Sequence, residues 1–300
     1  MKIVILAYTK ATYATEQLVC TFQQRGHHVL VLSPLELTVA FHSGATSVVH
    51  DGTPIEGVDL VMLRCLTYVE NGVPVPKGVE AAVARAFQQQ GALAVNTPEA
   101  KALASDKLRS GQTLAAAGVA VPRTAQVRTL AAFDHAVEHL GLPIIFKTQE
   151  GTWGSGVMRC DSLPSARSVF EMVQSTGRSF FVQEYLQSPS GRTVKILVLG
   201  GNVLGALQST PAPGDFRTNA NQGGSSEALD PPAPLSAVAL KAASLMGLAI
   251  AGVDLIETPR GWSVLEVNST PGLQVVDSIL KMHAAEHIAA YCEQLVDSRR

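Results

Sequence analysis

The segment that decides the fold covers residues 144–157 and reads IIFKTQEGTWGSGV. Its apolar start predicts a buried strand, and its second half predicts a glycine-rich loop. Glycines let consecutive backbone N–H groups turn toward one anion, hydroxyl groups add donors, and Lys147 at the strand end supplies a positive charge. On the loop alone, an ordinary glycine-rich turn is an equally good interpretation. The candidate phosphate ligands of the loop are Gly151, Thr152, Gly154, Ser155 and Gly156.

A second polar group lies on a predicted hairpin that covers residues 251–268 and reads AGVDLIETPRGWSVLEVN. Glu266 and Asn268 are two apart on one strand, so their side chains leave the same face, and Asp254 lies one short turn away on the preceding strand. Oxygen donors without His or Cys suit Mg²⁺, which takes its other ligands from water and substrate phosphates. The alternative is a polar strand end, but such groups inside apolar strands need a partner or a metal.

A third candidate is the end of the apolar strand SFFVQEYL, residues 179–186. Backbone groups of Gln183, Glu184 and Tyr185 can meet the edge of a purine, and the carboxylate can meet a ribose hydroxyl. By itself this pattern is not specific.

Upstream of these motifs, residues 1–96 alternate apolar strand runs with helical runs. Helices are predicted at 15–25 and 79–90, and strands at KIVILAY, HVLVLSP, SVVHDG, DLVMLR and ALAVN. This alternation predicts a parallel sheet with crossover connections. The unit ends near Asn96, because Thr97-Pro98 starts a new helix with an N-cap followed by proline.

The rest of the chain predicts an α+β module. One helix is predicted over 97–117, a long loop over 209–234 and one C-terminal helix from about 277. Between them, antiparallel hairpins are flanked by helices, and Gly200-Gly201 joins two of the strands. The fold class predicted for the whole chain is therefore α/β followed by α+β.

The composition excludes several classes of protein. Of 300 residues, 46% are hydrophobic and 16% are charged, so the chain can bury a core and is not disordered. The net charge of −2 lacks the basic excess of a protein that binds nucleic acid through phosphates. The four cysteines form no C-x-x-C pair, and no signal peptide or membrane span is visible. We therefore expect a cytoplasmic protein with reduced thiols and without nucleic-acid or membrane partners.

Two short motifs have simpler explanations than the chemistry they suggest. His283-Ala-Ala-Glu286-His287 matches the H-x-x-E-H zinc motif, but only 13 residues follow for the downstream acidic ligand, so a solvated helix face is favoured. Asn268-Ser269-Thr270 fits the glycosylation sequon, which carries no meaning in a chain without a secretory signal.

Taken together, the motifs resemble those of ATP-grasp carboxylate–amine ligases. The closest resemblance is to the RimK-type family of α-L-glutamate ligases, which extend the C-terminus of a protein. Six segments in family-like order span nearly the whole chain and are more specific than any single loop. The matching segments are DKLRSGQTLAAAGVAVP (106–122), IIFKTQEGTWGSGV (144–157), VQEYL (182–186), GDFRTN (214–219), AGVDL (251–255) and LEVNSTPGL (265–273).

The resemblance implies an ATP-grasp fold with a Rossmann-like pre-ATP-grasp domain (1–96) and two subdomains that hold ATP between them (97–186 and 187–300). It implies ATP and Mg²⁺ or Mn²⁺, typically two ions, as cofactors. The metal ligands by motif position are Asp254, Glu266 and Asn268. The nucleotide-binding residues, besides the glycine loop, are Lys107, Lys147, Gln183, Glu184, Tyr185, Thr193, Lys195, Arg217 and Asn219. The catalytic residues among them are Lys147, Arg217 and Asn219.

The chain departs from the family pattern at the substrate end. Thr193 and Lys195 stand where the family usually has an acid and an arginine, and Ser209-Thr210 stand in place of adjacent arginines. Asn221-Gln222 replaces the basic pair before a double glycine. Loss of the acid predicts looser ATP binding, and loss of the arginines removes groups that clamp carboxylates. We expect an intact ATP and metal core with a less anionic substrate. Arg64 matches a family arginine and is predicted to face either the cleft or solvent.

The leading interpretation is an ATP-dependent ligase that forms an amide or peptide bond through an acyl phosphate. It would add glutamate or another amino acid to a peptide, a protein C-terminus or a carrier. The alternative is a non-catalytic nucleotide-binding homologue that acts through protein partners, and the complete set of metal ligands argues against it. Family members commonly associate, so a homo-oligomer, a dimer or tetramer, is a further implication of the resemblance.

Overall fold

The structure is a computed structural model that describes residues 1–9, 11–65, 78–149, 156–212 and 223–299, together with the backbone of 69–70 and 73–74. These residues form five sheets, of which four pack on helices. In this described part, no helix combines the length and the apolar composition that crossing a membrane requires.

The N-terminal part is built on a four-stranded parallel sheet in the order β2-β1-β6-β9, which confirms the parallel sheet predicted from the alternation. Apolar runs form these strands because both faces of the sheet are buried, against α1 on one side and α2 on the other. In chain order the elements are β1 (Lys2–Leu6), α1 (Tyr13–Gln24), β2 (His28–Leu32), a 3₁₀ turn (Pro34–Glu36), β3 (Leu37–His42), β4 (Ala45–His50), β5 (Thr53–Pro54), β6 (Leu60–Leu63), β7 (Val69–Glu70), β8 (Val73–Pro74), α2 (Val79–Gln89) and β9 (Leu93–Val95).

The strand predicted at residues 47–52 exists, but its expected place in the parallel sheet is wrong. It is β4, the middle strand of an antiparallel sheet in the order β3-β4-β5. Ser43-Gly44 and Asp51-Gly52 both have positive φ at their two residues, 48° and 85° in the first pair and 48° and 75° in the second. Two-residue turns of this kind reverse the chain directly into a hairpin, so no crossover helix follows β4.

The middle part has an antiparallel sheet in the order β10-β13-β11-β12. Its one face packs on two helices through a cluster of buried phenylalanines, whose ring centroids lie 4.8 to 6.0 Å apart. The elements are α3 (Pro98–Ser105), α4 (Lys107–Ala116), β10 (Thr124–Ala125), α5 (Leu130–Leu140), β11 (Ile144–Thr148), β12 (Val157–Cys160), α6 (Leu163–Ser175) and β13 (Phe180–Glu184).

The prediction of a single helix over residues 97–117 is wrong, because the helix is interrupted at Asp106. Asp106 leaves the helical region (φ −89°, ψ 96°), ends α3, and accepts a hydrogen bond from the backbone N–H of Arg109 to begin α4. A short acidic side chain competes for backbone donors in this way, so it favours a cap over a helix interior.

The C-terminal part has an antiparallel sheet in the order β16-β15-β14-β17-β18, with α7 on one face. The predicted long loop over 209–234 contains a strand, β16, and the predicted single C-terminal helix is two helices that separate at Lys281, where φ is 53°. The elements are β14 (Thr193–Leu199), β15 (Asn202–Thr210), β16 (Ser225–Leu229), α7 (Ala233–Leu245), β17 (Ile250–Thr258), β18 (Gly261–Asn268), α8 (Gln274–Leu280) and α9 (Ala284–Asp297).

The last helices of the chain pack against the first ones. Leu18 and Phe22 of α1 share one buried cluster with Ile288 and Cys292 of α9. At the rim of this contact, Arg25 pairs with Glu293. The N- and C-terminal parts therefore share a core, and the domain limits at 96 and 186 stay predictions.

Candidate functional site

The candidate site lies on the face of the middle sheet opposite α5 and α6, and on the face of the C-terminal sheet opposite α7. In the middle sheet Lys147 pairs with Phe181, and Gln183 lies two residues further on the same face, opposite the phenylalanine core. In the C-terminal sheet Lys195 pairs with Asp254, opposite the face that packs on α7. Strand alternation thus separates the charged residues from the apolar residues that pack on α5, α6 and α7. Further along the same face of the C-terminal sheet, Leu197 and Leu207 pack in the cluster that includes α8 and α9.

The three predicted metal ligands lie together on the C-terminal sheet. Asp254 of β17 and Glu266 of β18 are direct cross-strand partners, and Asn268 donates a hydrogen bond from Nδ2 to Asp254 Oδ2 at 2.9 Å. The register shifts between Asp254 and Leu255, so β18 carries a bulge beside the carboxylates. A bulge re-aims the side chains next to it, which is a recurrent device at functional sites.

Lysines neutralise both carboxylates. Lys195 Nζ lies 3.2 Å from Asp254 Oδ1, and Lys107 Nζ, from the first residue of α4, lies 3.8 Å from Glu266 Oε1. The charge of Asp254 raises the pKa of Lys195. Burial lowers the pKa of Lys147. The positive charge of Lys107 lowers it further, and the negative charge of Glu266 opposes this shift. The middle sheet, α4 and the C-terminal hairpin therefore bring their charged groups into one cluster.

The donor set of this cluster fits a hard divalent cation. Burial raises the pKa of Asp254, against the opposing charge of Lys195, so this carboxylate gains from a positive partner. Two carboxylates and one amide offer oxygen ligands only, and the remaining positions of an Mg²⁺ would fall to water and phosphate. Among the described side chains, no three His, Cys, Asp or Glu groups converge on a point that would suit an all-protein metal cage.

The zinc-like motif on α9 has the structural explanation expected for it. His283 is the residue before α9, and Glu286 pairs with Arg25 Nη1 at 3.2 Å. This glutamate holds α9 against the end of α1.

Asp106 and Gln149 are site residues that the sequence analysis missed. Gln149, the last described residue before the glycine loop, donates from Nε2 to Asp106 Oδ1 at 3.1 Å. Asp106 also caps α4, so one carboxylate fixes both the start of the loop and the helix turn that carries Lys107. The signal available in the sequence was an N-cap residue directly before a lysine.

Much of the predicted phosphate-binding set falls outside the described residues. This holds for Gly151, Thr152, Gly154 and Ser155 of the loop, and for Arg217 and Asn219.

Gly156 is the described end of that loop. Its φ is +78°, and its carbonyl accepts a hydrogen bond from Thr148 N at 3.1 Å, which closes the loop at its base. A Cβ at this position would collide with the Thr148 side chain, so glycine is required for both conformation and space.

The predicted nucleotide-binding segment at the end of β13 splits between two faces. Gln183 lies on the same face as Lys147 and donates to Thr124 Oγ1 at 2.8 Å. Glu184 lies on the other face, where its carboxylate accepts from Arg123 N at 2.9 Å and from Arg123 Nε at 2.7 Å. The carboxylate of Glu184 would have to leave Arg123 to reach a ribose. The backbone N–H groups of Glu184 and Tyr185 also have partners, because they donate to Arg123 O at 3.0 Å and to Pro143 O at 3.2 Å.

Tyr185 has a cationic partner that sequence reasoning missed. The guanidinium carbon of Arg159, on the edge strand β12, lies 4.3 Å from the centre of the Tyr185 ring. This is the geometry of a cation–π contact, and it fixes the ring beside the end of β13.

Hydroxyl side chains stand at the positions where the resemblance implies charged side chains in other family members. Thr193 and Ser209 are cross-strand partners in β14 and β15, and Ser209 Oγ lies 2.8 Å from Ser226 Oγ of β16. This edge of the sheet presents neutral hydroxyls beside the charged pair of Lys195 and Asp254.

Two polar residues at the ends of parallel strands hold the N-terminal sheet to this site. Arg64, directly after β6, is buried, so its predicted surface alternative is wrong, and its Nη2 donates to Pro271 O at 3.3 Å. Asn96, directly after β9, makes hydrogen bonds to the backbone of Ala249, Ile250 and Ser269. The sequence analysis predicts Asn96 only as the end of a domain. A polar residue directly after an apolar strand could also have indicated a contact of this kind.

The chain matches known protein families along almost its entire length. Residues 1–101 match the RimK PreATP-grasp domain, and residues 104–292 match the RimK-like ATP-grasp domain. A probable alpha-L-glutamate ligase of Aeromonas salmonicida (strain A449) is 35% identical over 98% of this chain and 96% of its own.

Two solved structures show the same fold. The ATP-grasp ligase PsnB, complexed with a phosphomimetic variant of a minimal precursor, Mg and ADP, is 21% identical with a TM-score of 0.76, over 98% of each chain. The D-alanine–D-alanine ligase of Bacillus anthracis complexed with ATP is 14% identical with a TM-score of 0.70, over 100% of this chain and 99% of the other. These findings confirm the ATP-grasp fold and the resemblance drawn from the motifs. The chain belongs to the RimK-like ATP-grasp family and is an ATP-dependent ligase that forms carbon–nitrogen bonds.

Proposed function

We propose that the chain binds ATP and Mg²⁺ between the charged faces of its middle and C-terminal sheets and joins a carboxylate to the amine of an amino acid. The observation that carries the proposal is the charged cluster in which Lys107, Lys147 and Lys195 surround Asp254 and Glu266. Such a cluster supplies cations for phosphate oxygens and carboxylates for a divalent ion at one place. The relatives named as ligases and the PsnB complex with Mg and ADP support the same assignment.

The reaction follows from the charges that change. A carboxylate oxygen of the acceptor attacks the γ-phosphorus of ATP, and the bond to the ADP oxygen breaks. The amine then attacks the carbonyl carbon of the acyl phosphate, inorganic phosphate leaves, and the amine loses a proton. Lys147 and Lys107 offset the negative charge that spreads over the transferring phosphoryl group. Mg²⁺ held by Asp254, Glu266 and Asn268 would supply further positive charge to the phosphate oxygens. We assign Arg217 and Asn219 to the same end of the site by their motif position.

We further propose that the acceptor is a peptide or protein tail that carries less negative charge than a glutamate-ended one. The relatives are named as glutamate ligases, and PsnB is described in complex with a precursor, which supports an amino-acid donor and a peptide acceptor. At the sheet edge where the family carries arginines, this chain has Ser209, bonded to Ser226, and Thr210. Neutral hydroxyls do not compensate a cluster of carboxylates, so an acidic tail would be poorly neutralised there.

The test of the metal and nucleotide assignment is the variant Glu266→Gln. It keeps the size of the side chain and removes the charge, so we expect ATP-dependent turnover to fall at least about 100-fold with the fold intact. The matched control is Glu257→Gln on the neighbouring strand of the same hairpin, which should turn over at the wild-type rate. Turnover by Glu266→Gln within about threefold of wild type would contradict the assignment.

The substrates are identified by release of ADP and phosphate with Mg-ATP against pools of amino acids and short peptides. The expected product is heavier than the peptide by one amino-acid residue, as measured by mass spectrometry. Peptides with neutral C-terminal residues should be used at a higher kcat/KM than peptides that end in glutamate. A clear preference for the glutamate-ended peptides would contradict the proposed acceptor class.

A further inference from the structure

The crevice at the end of the N-terminal parallel sheet holds two buried polar atoms that the fold does not satisfy. They are Arg64 Nε and Thr270 Oγ1, and neither has a hydrogen-bond partner among the described residues. Buried polar groups are normally paired, because leaving one unpaired costs free energy. Two such atoms from adjoining segments indicate a site that a ligand completes.

The position of Arg64 in the sheet is one where α/β folds bind ligands. The strand order β2-β1-β6-β9 reverses direction between β1 and β6, so the connections leave this point to opposite sides. Arg64 directly follows β6, and its backbone N–H donates to Leu6 O at the end of β1. The crevice outside the carboxyl ends of strands at such a switch point is the general place for a ligand in open α/β sheets.

The opposite wall of the crevice is the turn after the metal-binding strand, and it is held rigidly. Asn96 Nδ2 donates to Ser269 O at 2.8 Å, and a Cβ on Gly252 would lie only 3.1 Å from Pro271 Cβ. Thr270 lies between these two fixed residues. The turn that carries Thr270 is therefore held in place beside the guanidinium of Arg64, whose Nη2 donates to Pro271 O at 3.3 Å.

The charge of the crevice selects the chemistry of the ligand. Arg64 is only 7% exposed, and burial lowers its pKa to about 10, so it is charged at neutral pH. No carboxylate of the described residues forms an ion pair with it. Glu80, whose charge acts on Arg64, is itself held by Lys101 Nζ at 2.7 Å and by Cys65 N at 3.1 Å. A buried guanidinium with a free Nε calls for an anion, and a planar carboxylate matches its geometry.

We propose that Arg64 and Thr270 form the subsite for the α-carboxylate of the amino acid that supplies the amine. Thr270 is four residues beyond Glu266 and two beyond Asn268, so the subsite lies next to the transfer end of the cluster. An amino acid held there by its carboxylate presents its amine one carbon away from the anchor. The inference rests on the proposed function, because it takes the donor to be a free amino acid.

Binding to the full-length protein with Mg-ADP tests the proposal without turnover. Each of the twenty free L-amino acids is titrated calorimetrically, and the one that binds wild type is compared with its α-carboxamide. The wild type should prefer the carboxylate by about 100-fold. Arg64→Met should weaken the amino acid by about 30-fold or more and abolish the preference, and it should raise the KM for the amino acid without changing that for ATP. The control Arg85→Met, at an exposed arginine that pairs with Glu99, should change neither quantity.

Thr270→Val separates binding from folding. The hydroxyl of Thr270 has no hydrogen-bond partner to lose in the described part of the chain, so replacing it with a methyl group should leave Tm unchanged or raise it. The same variant should weaken the amino acid by about three- to tenfold. Arg64→Met should likewise keep or raise Tm, because it removes a buried charge to which the described residues offer one long hydrogen bond and no ion pair.

Three results would overturn the subsite. They are binding of no amino acid to wild type, a lower Tm with unchanged affinity in both variants, or weakening of the acceptor peptide alone. The proposed function fails separately. If wild type binds an amino acid through Arg64 but yields no ligated product, the proposed function is wrong and the subsite stands. If Arg64→Met ligates normally with an unchanged KM for the amino acid, the subsite is wrong and the proposed function stands.

Discussion

Asn96 is the residue whose removal should affect the architecture of the site most directly. Its side chain is 4% exposed and makes four hydrogen bonds. Nδ2 donates to Ile250 O at 2.7 Å and to Ser269 O at 2.8 Å, and Oδ1 accepts from Ala249 N at 2.8 Å and from Ile250 N at 2.9 Å. One side chain thereby ties the end of β9 to the start of β17 and to the turn after β18.

Asn96→Ala should lower the free energy of unfolding by about 4 kcal/mol. Two buried N–H groups lose their acceptor, each at a cost of about 1–3 kcal/mol, while the two carbonyls lose one donor each and keep a second lone pair. A loss of this size lowers Tm by roughly 10 °C in a chain of this length. The cost is large because all four partners are main-chain groups that cannot turn toward water.

Denaturant unfolding followed by fluorescence, together with amide hydrogen exchange, measures this effect. The N–H groups of Ala249 and Ile250 should exchange faster in Asn96→Ala, at the place where the bonds are lost. The control is Asn202→Ala, which removes one exposed bond to Gly200 O and should cost less than about 0.5 kcal/mol. A loss below about 1 kcal/mol in Asn96→Ala, with unchanged exchange at the two amides, would refute the reasoning.

Two further predictions concern the glycine loop and the contact between α1 and α9. Gly156→Ala introduces a Cβ against Thr148 at a positive φ, so closing the loop should cost about 1–3 kcal/mol and raise the KM for ATP about 5- to 150-fold. The control Gly191→Ala, with φ +68° and no atom within 4 Å of the added Cβ, should leave the KM for ATP unchanged. Equal KM values for the two variants would contradict the role of Gly156. The hydrogen bonds from Arg25 lower the pKa of Glu293 from its ordinary 4.5 to about 2, so the ionised carboxylate stabilises the fold above pH 4.5 and this stabilisation disappears as the pH falls toward 2. Glu293→Gln should therefore be less stable than wild type at pH 7 in denaturant unfolding, with a difference that shrinks between pH 4.5 and 2, and a difference independent of pH would contradict the cause.

The sequence predicts the local parts of this protein well, because hydrophobic periodicity and turn residues report on neighbours along the chain. The hairpin at Gly200-Gly201 and the parallel strands are confirmed for that reason. What the sequence does not contain in readable form is contact between distant segments. Asn96 bonds to residues 153 to 173 positions away, and α1 packs on α9, so neither could be inferred from spacing. The break at Asp106 had a local signal, a capping residue, that the apolar pattern on both sides concealed.

In the candidate site, strand register fixes where each charge stands, and the residue type then decides what the position can bind. The pairing of β14 with β17 sets Lys195 opposite Asp254, and the pairing of β14 with β15 sets Thr193 opposite Ser209. A shift of the strand pairing by one residue would move every side chain of β14 to the opposite face of the sheet. The buried face therefore fixes the pairing, and the positions of residues 193, 195 and 209 do not depend on which side chains they carry. An arginine at position 209 would place a second cation near Lys195, whereas Ser209 carries a neutral hydroxyl that is hydrogen-bonded to Ser226. The proposed phosphate and metal ligands therefore occupy the charged end of the sheet, and the proposed acceptor class rests on the few neutral side chains at the other end rather than on the fold.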